Sequence, residues 1–259
     1  MIVFPQIDPV LLQIGPVAIR WYGLMYTLTF VLGWPLLKLL ARRQAMNLSP
    51  EGVADLMMFT LLGVILGGRM GYILFYHFDY YFSNPLAMFR VWEGGMSFHG
   101  GLLGVLLAGY LFGRRQGIPF LALGDLLATV TPVGLFLGRI GNFINGELWG
   151  RPTELPWGVV FPGAGPLPRH PSQLYEAALE GFFLFVLLWW LGRVPRGSGF
   201  LGGVFLTGYA ICRLLVELVR EPDAHLGILS LGLTMGQWLS LPMLVLGLGL
   251  ILFSRPRKP

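Results

Sequence analysis

Charge is scarce in this chain: 18 Lys+Arg and 13 Asp+Glu make up 12% of its 259 residues. A soluble domain carries about 25%. So few charges cannot cover the water-facing surface of a globule this size, which excludes a soluble enzyme and a disordered chain. Cysteine is scarcer still. Cys212 stands alone, which excludes an internal disulfide and any cysteine-based metal cluster. The chain also lacks a Gly-x-Ser-x-Gly turn, a His-Glu-x-x-His pair and a phosphate-binding glycine loop. No two of His77, His99, His170 and His225 stand four apart, which leaves only scattered histidines for metal ligation; no metal and no other cofactor is expected. The opening MIVFPQIDPVLLQIGP lacks a basic stretch ahead of an apolar run, so no cleavable signal peptide is expected.

What the chain has instead is apolar length. Hydrophobic residues make up 55% and the mean hydropathy is +0.68, the composition of an integral membrane protein. No polar stretch is long enough for a second domain, so residues 1–259 are expected to form a single polytopic membrane domain. The net charge of +5 does not argue for nucleic acid, because basic residues in membrane proteins mark cytoplasmic loops. Spanning the hydrocarbon takes about 20 apolar residues in a helix. Seven segments qualify: Trp21–Ala41, Val53–Tyr76, Met96–Gly113, Ile118–Leu137, Tyr175–Gly192, Gly199–Val219 and Met235–Phe253. Their apolarity is all-round rather than alternating, which favours helices over a barrel. The expected fold is therefore all-α, with seven transmembrane helices. Glycine is abundant at 37 residues and suits close helix packing in lipid.

Seven spans put the termini on opposite sides. Lys38, Arg42, Arg43, Arg114, Arg115, Arg193, Arg196, Arg255, Arg257 and Lys258 then share one side, in tight clusters at helix ends. The positive-inside rule makes that side cytoplasmic and leaves the N-terminus outside. The other arginines, most acids and all histidines fall in the outer half, so an outward-facing site is expected. The longest connection, about 138–174, holds six prolines that preclude a long helix. It is expected to form a small extracytoplasmic head at the membrane surface, with Trp149 and Trp157 at the interface.

Polar residues concentrate in a few clusters. The densest is GRIGNFINGELWG at Gly138–Gly150. Its glycines allow close backbone approach, Arg139 offers a planar fork of donors suited to phosphate, Asn142 and Asn145 can bond a ligand, and Glu147 can hold Arg139. A snorkelling arginine at a helix end is the plainer alternative, which two asparagines and a glutamate weigh against. Tyr209, Arg213, Glu217 and Arg220 form one stripe on the sixth helix. An arginine at the depth of Arg213 costs at least about 2.5 kcal/mol to insert, so it faces a polar cavity or forms a packing ion pair with Glu217. His99, in WEGGMSFHGG at Trp92–Gly101, is either a proton acceptor or a structural hydrogen-bonder. In RHPSQLYE at Arg169–Glu176, Ser172 can cap the fifth helix while Glu176 sits near its start; the segment either docks the head or touches a ligand. Arg69 is an intramembrane cation with no evident local partner. Tyr22 and Tyr26 lie one turn apart, and Cys212 reads as packing.

These segments resemble one family: the bacterial phosphatidylglycerol–prolipoprotein diacylglyceryl transferases. GRIGNFINGELWG is its signature stretch. WEGGMSFHGG, HPSQLYE at His170–Glu176, GGRMGY at Gly67–Tyr72 and YAICRLLVELVREPD at Tyr209–Asp223 follow the family's order. The resemblance implies a seven-helix enzyme of the bacterial inner membrane. It would move the diacylglyceryl group of phosphatidylglycerol onto the lipobox cysteine thiol of a preprolipoprotein, giving a thioether and glycerol phosphate. Phosphatidylglycerol, preprolipoprotein signal peptides and membrane lipid are then the partners. Such chemistry needs a thiol relieved of its proton and a phosphate held as its charge develops. On this reading Arg139 and Arg213 bracket the phosphate, while Glu147 and Glu217 orient them. Asn142 and Tyr22 bond the glycerol or phosphate, Tyr209 and Arg220 complete the substrate contacts, and His99 is the base for the thiol. A small transporter or channel for an anionic solute would use the same arginines, but it calls for repeats and broken helices that the sequence lacks.

Overall fold

The computed structural model describes residues 2–15, 17–222, 227 and 229–254. His225, Arg255, Arg257 and Lys258 lie outside the described residues. The backbone divides into two compact units, Asn47–Gly124 and the combination of Met1–Met46 with Asp125–Pro259.

In the first unit, Ser49 starts α2 (Pro50–Tyr76) by accepting the Gly52 N–H at 3.1 Å, with Pro50 in the first turn. That position suits proline, whose missing N–H would be unpaired there anyway. Ser97 starts α3 (Phe98–Gln116) in the same way, accepting the Gly100 N–H at 3.3 Å. Gly117, in the left-handed conformation, ends it. The connection between them is a short helix, Phe78–Ser83, and two tight turns, Pro85–Phe89 and Val91–Glu93. The two long helices meet along glycines. A Cβ on Gly63 would lie 2.6 Å from the Gly104 carbonyl oxygen, and one on Gly71 would lie 2.8 Å from the Gly100 Cα. Backbone touches backbone, as small residues in lipid allow.

Arg69 on α2 does have partners. Its guanidinium donates to the carbonyls of Ala87, Met88, Arg90, Gly94 and Gly95 at 2.5 to 3.2 Å and lies over the Tyr81 ring at 5.0 Å. Nothing in the residue pattern signals this, because those partners are main-chain groups some 20 residues away.

The second unit holds α1 (Trp21–Arg43), α4 (Phe120–Ile144) from Asp125 onward, α5 (Ser172–Leu191), α6 (Phe200–Glu217) and α7 (Met235–Phe253). Leu184, Leu188 and Leu201 form a fully buried core between α5 and α6. Asp125 accepts the N–H groups of Gly199 and Gly202 at 2.8 and 2.7 Å, serving donors that the start of α6 would otherwise leave unpaired. Thr234 and Gln237 form a reciprocal capping box at α7. Within α5, Ala177–Phe183 winds as a π-helix, a winding often found at functional sites.

Among the described residues six helices are long and apolar enough to cross a membrane, all of these except α3, whose ends carry His99 and Arg114–Gln116. This is the architecture of an integral membrane protein. The expected boundaries hold to within a few residues, with one larger departure. The fourth helix continues to Ile144, so Gly138–Ile144 is helical and its amides are spent on helix bonds. The connection is thus 145–171. Its backbone pairs Gly150 with Arg220 and Pro152 and Val159 with Arg169. Strand β4 (Val159–Val160) lies parallel to β1 (Ile2–Val3), over a small core of Phe4, Val159 and Phe161 backed by Phe143 and Trp149. A hairpin of β2 (Val10–Ile14) and β3 (Val17–Arg20) leads into α1.

Candidate active site

The site is built around one carboxylate. Glu176, wholly buried on α5, receives three guanidiniums: Arg139 from α4 through Nε at 2.8 Å, Arg213 from α6 at 2.8 Å and Arg220 just beyond α6 at 2.9 Å. Glu180, one turn along the π winding, is also wholly buried and lies 3.6 Å from Arg139 and 3.9 Å from Arg213. Neither of its carboxylate oxygens has a hydrogen-bond partner among the described residues. Glu217 pairs with Arg213 and accepts the Thr234 hydroxyl at 2.7 Å. Gly236 at the start of α7 leaves the room for this, since a Cβ there would overlap the Glu217 carboxylate.

Three guanidiniums thus face three carboxylates, and the cluster is formally neutral, which is what makes its burial tolerable. The burial is uneven. Arg139 keeps 18% and Arg213 13% of its side-chain surface, against 0% for Glu176 and Glu180. The arginines thus keep some accessible surface while Glu176 and Glu180 keep none.

Two expectations need correction. Glu147 does not hold Arg139. It accepts the Asn142 amide at 2.8 Å and the Asn145 amide at 3.2 Å, and Arg139 turns to Glu176 and Glu180 because their helix faces α4 directly. Ser172 does not cap α5 either: its hydroxyl donates to the Leu148 carbonyl at 3.0 Å, while Gln173 donates to that of Glu147 at 2.6 Å. Both bonds fasten the signature segment to the start of α5.

Of the other expected residues, Tyr22 packs its ring against Gly141 on α4, where a Cβ would come within 3.0 Å of it. Its hydroxyl lies within reach of Tyr26 at 3.4 Å and feels the charges of Arg139 and Glu147. The Tyr209 hydroxyl sits in the field of Arg139, Arg213, Glu176 and Glu180. Gly150 is clamped so tightly that a Cβ would lie 2.6 Å from the Val219 carbonyl oxygen and 2.7 Å from the His170 Cβ. Arg151 closes the clamp from its side chain to the Arg220 carbonyl at 3.1 Å. His170 faces the Tyr175 hydroxyl at 3.3 Å, and burial pushes its imidazole below the usual histidine range. His99 is exposed on the first turn of α3, in the Asn47–Gly124 unit, with its ring against Phe98. Cys212 is buried against the Leu179 carbonyl.

A family model described as prolipoprotein diacylglyceryl transferase matches residues 9–253. The chain belongs to the prolipoprotein diacylglyceryl transferase family. A phosphatidylglycerol–prolipoprotein diacylglyceryl transferase of Idiomarina loihiensis is 56% identical over 99% of this chain and 96% of its own length. One of the same name from Bordetella avium is 54% identical over 100% and 98%, and another from Nitratidesulfovibrio vulgaris 55% over 97% and 96%.

Against the other residues of this family member, the sequence reading undervalued Glu176 and missed Glu180. A carboxylate near a helix start reads as a dipole partner, and one in the middle of an apolar span has no local cation. The available signal was the excess itself. Arginines on two spans need acids, and α5 carries two of them one turn apart.

Proposed function

We propose that this chain transfers the diacylglyceryl group of phosphatidylglycerol to the lipobox cysteine thiol of a preprolipoprotein. It sits in the bacterial inner membrane with seven spans, α3 included, its N-terminus outside and the 145–171 head extracytoplasmic. The observation that carries the reading is the ionic cluster: Arg139 and Arg213 are held by buried Glu176 while each keeps part of its own surface.

The reaction is a displacement at carbon. The thiol sulfur forms a bond to the terminal glycerol carbon of the diacylglyceryl group, and the bond from that carbon to the phosphate oxygen breaks. The bonding pair leaves on the phosphate oxygen, and glycerol phosphate departs. Arg139 and Arg213 hold the phosphate and neutralise the charge that grows on it. Because Glu176 and Glu217 fix both guanidiniums, little reorganisation is needed at that moment. Asn142, steadied by Glu147, and Tyr22 bond the glycerol or phosphate oxygens, with Tyr209 and Arg220 at the edge of the same anion seat. His99 takes the thiol proton. The nucleophile arrives with the peptide, so no cysteine of this chain takes part. Head and membrane interface together present the two substrates, one lipid and one signal peptide.

The test is direct. Purified protein in detergent is incubated with phosphatidylglycerol and a lipobox peptide, and the peptide mass is read. The expected result is a gain of one diacylglyceryl group on the cysteine, abolished when that cysteine is serine. No gain with phosphatidylglycerol in excess would overturn the assignment.

A further inference from the structure

Glu180 has no task in the scheme above. It is wholly buried, neither of its oxygens is hydrogen-bonded among the described residues, and it stands 3.6 Å from Arg139 and 3.9 Å from Arg213. Glu176 already fastens both arginines at 2.8 Å. A carboxylate kept in an apolar span without hydrogen bonds is costly, and its contacts to Arg139 and Arg213 are about 1 Å longer than those Glu176 makes. What it adds, in its ionised form, is charge. With Glu180, three guanidiniums meet three carboxylates; without it, they meet Glu176 and Glu217 alone.

The balance matters because the reaction changes the charge of what the arginines hold. The phosphodiester of the lipid carries one negative charge. The phosphomonoester released carries up to two, its second ionisation lying near pH 6. An anion seat tuned only for attraction would hold the product more firmly than the substrate, and release would limit turnover.

We infer that Glu180 is a positioning residue that acts through Arg139 and Arg213 as an electrostatic counterweight: it weakens their hold on anions so that glycerol phosphate leaves. The inference rests on the reading of these arginines as the phosphate seat. The carboxylate is wholly buried while the guanidiniums keep some surface, so its field reaches a phosphate bound there without touching it and grows in effect as the phosphate gains charge.

The experiment titrates purified protein in detergent with glycerol 1-phosphate, followed by phosphorus NMR, alongside steady-state kinetics with phosphatidylglycerol. Glu180→Gln, which keeps the shape and drops the charge, is expected to bind glycerol phosphate about tenfold more tightly. Its kcat should fall, its KM for the lipid should not rise, and added glycerol phosphate should inhibit more strongly. Glu180→Asp, which keeps the charge, is expected to bind glycerol phosphate within about twofold of wild type. A merely structural carboxylate would give the opposite pattern, with weaker binding and a raised KM. Unchanged or weaker glycerol phosphate binding by folded Glu180→Gln overturns the counterweight. Should that variant fail to accumulate, Arg139→Gln with Glu180→Gln is compared with Arg139→Gln alone; a gain in affinity supports the inference and no gain overturns it. Arg139→Gln separates the two levels: wild-type glycerol phosphate affinity in it overturns the phosphate seat itself, whereas lost affinity there without a gain in Glu180→Gln overturns only the counterweight.

Discussion

Among the described residues, the Arg69 site and the Arg139–Arg213 cluster both bury arginine, and they answer its charge differently. Arg69 is surrounded by five backbone carbonyls and a tyrosine ring. Its donors are saturated by neutral acceptors that cannot move, so the side chain staples the 87–95 connection to α2. Arg139 and Arg213 meet carboxylates instead, Arg213 from α5 and from its own helix, and each keeps part of its side-chain surface. The difference teaches how to read a buried cation. Enclosure by main chain occupies every donor of Arg69, whereas ion pairing leaves Arg139 and Arg213 part of their surface, which suits the anion-binding role proposed for them.

The comparison is broken most directly by Arg139→Ala. Transfer is expected to fall by at least about 10³-fold while the protein still accumulates in the membrane, and Arg139→Lys should recover little, since an ammonium lacks the fork. Turnover by membrane fraction, normalised to protein, checks this; near-normal turnover by the alanine variant would remove Arg139 from the site. Arg69→Gln is the mirror image. It leaves several carbonyls of the 87–95 connection unpaired, so stability should drop by about 3 kcal/mol or more, read as a lower melting temperature in detergent. Transfer per folded molecule should persist. A variant with normal melting but no transfer would put Arg69 among the catalytic groups.

A smaller effect separates the base from the clamp. His99→Gln should lower turnover at pH 7 by about 10²-fold or more and recover partly as pH rises and hydroxide generates the thiolate. Arg213→Gln should not recover, because hydroxide does not replace a phosphate ligand. Parallel pH–rate profiles for the two variants would assign His99 to structure or lipid binding. The smallest change is expected from Cys212→Ser, whose thiol lies buried against a carbonyl. Turnover should stay within about twofold of wild type, an energy difference under about 0.5 kcal/mol; complete loss in a folded variant would instead indicate a covalent lipid–enzyme intermediate.

The helices were legible in the sequence because apolar length is itself what lipid selects, and the starts at Ser49, Ser97 and Thr234 follow ordinary capping chemistry. The arginines of the site were legible too, since a cation inside a span demands an explanation. Their partners were not. Glu147 stands eight residues from Arg139 in the chain, yet the ion pairs go to Glu176 and Glu180, 37 and 41 residues away. Proximity along a chain is a guide to pairing on one helix, and here the pairing crosses between helices. The Arg69 staple was hidden for a related reason: carbonyl acceptors have no letter in a sequence. The continuation of α4 through Gly138–Ile144 shows the limit of glycine as punctuation when an apolar environment makes every unpaired amide expensive.

The glycine seam between α2 and α3 has a consequence for how the protein is made. Only 21 residues separate α2 from α3, which among the described residues is the one long helix not apolar enough to qualify as a span by itself. As the chain is threaded into the bilayer in order, the seam offers α3 a complementary partner before any later helix has been synthesised. On the proposed seven-span reading the two enter as a hairpin, with main-chain contact making up for the hydropathy that α3 lacks. The same economy leaves no slack. One methyl group at Gly63 or Gly71 wedges the hairpin apart along its length, so an error there is felt during biogenesis, before the enzyme ever meets a lipid.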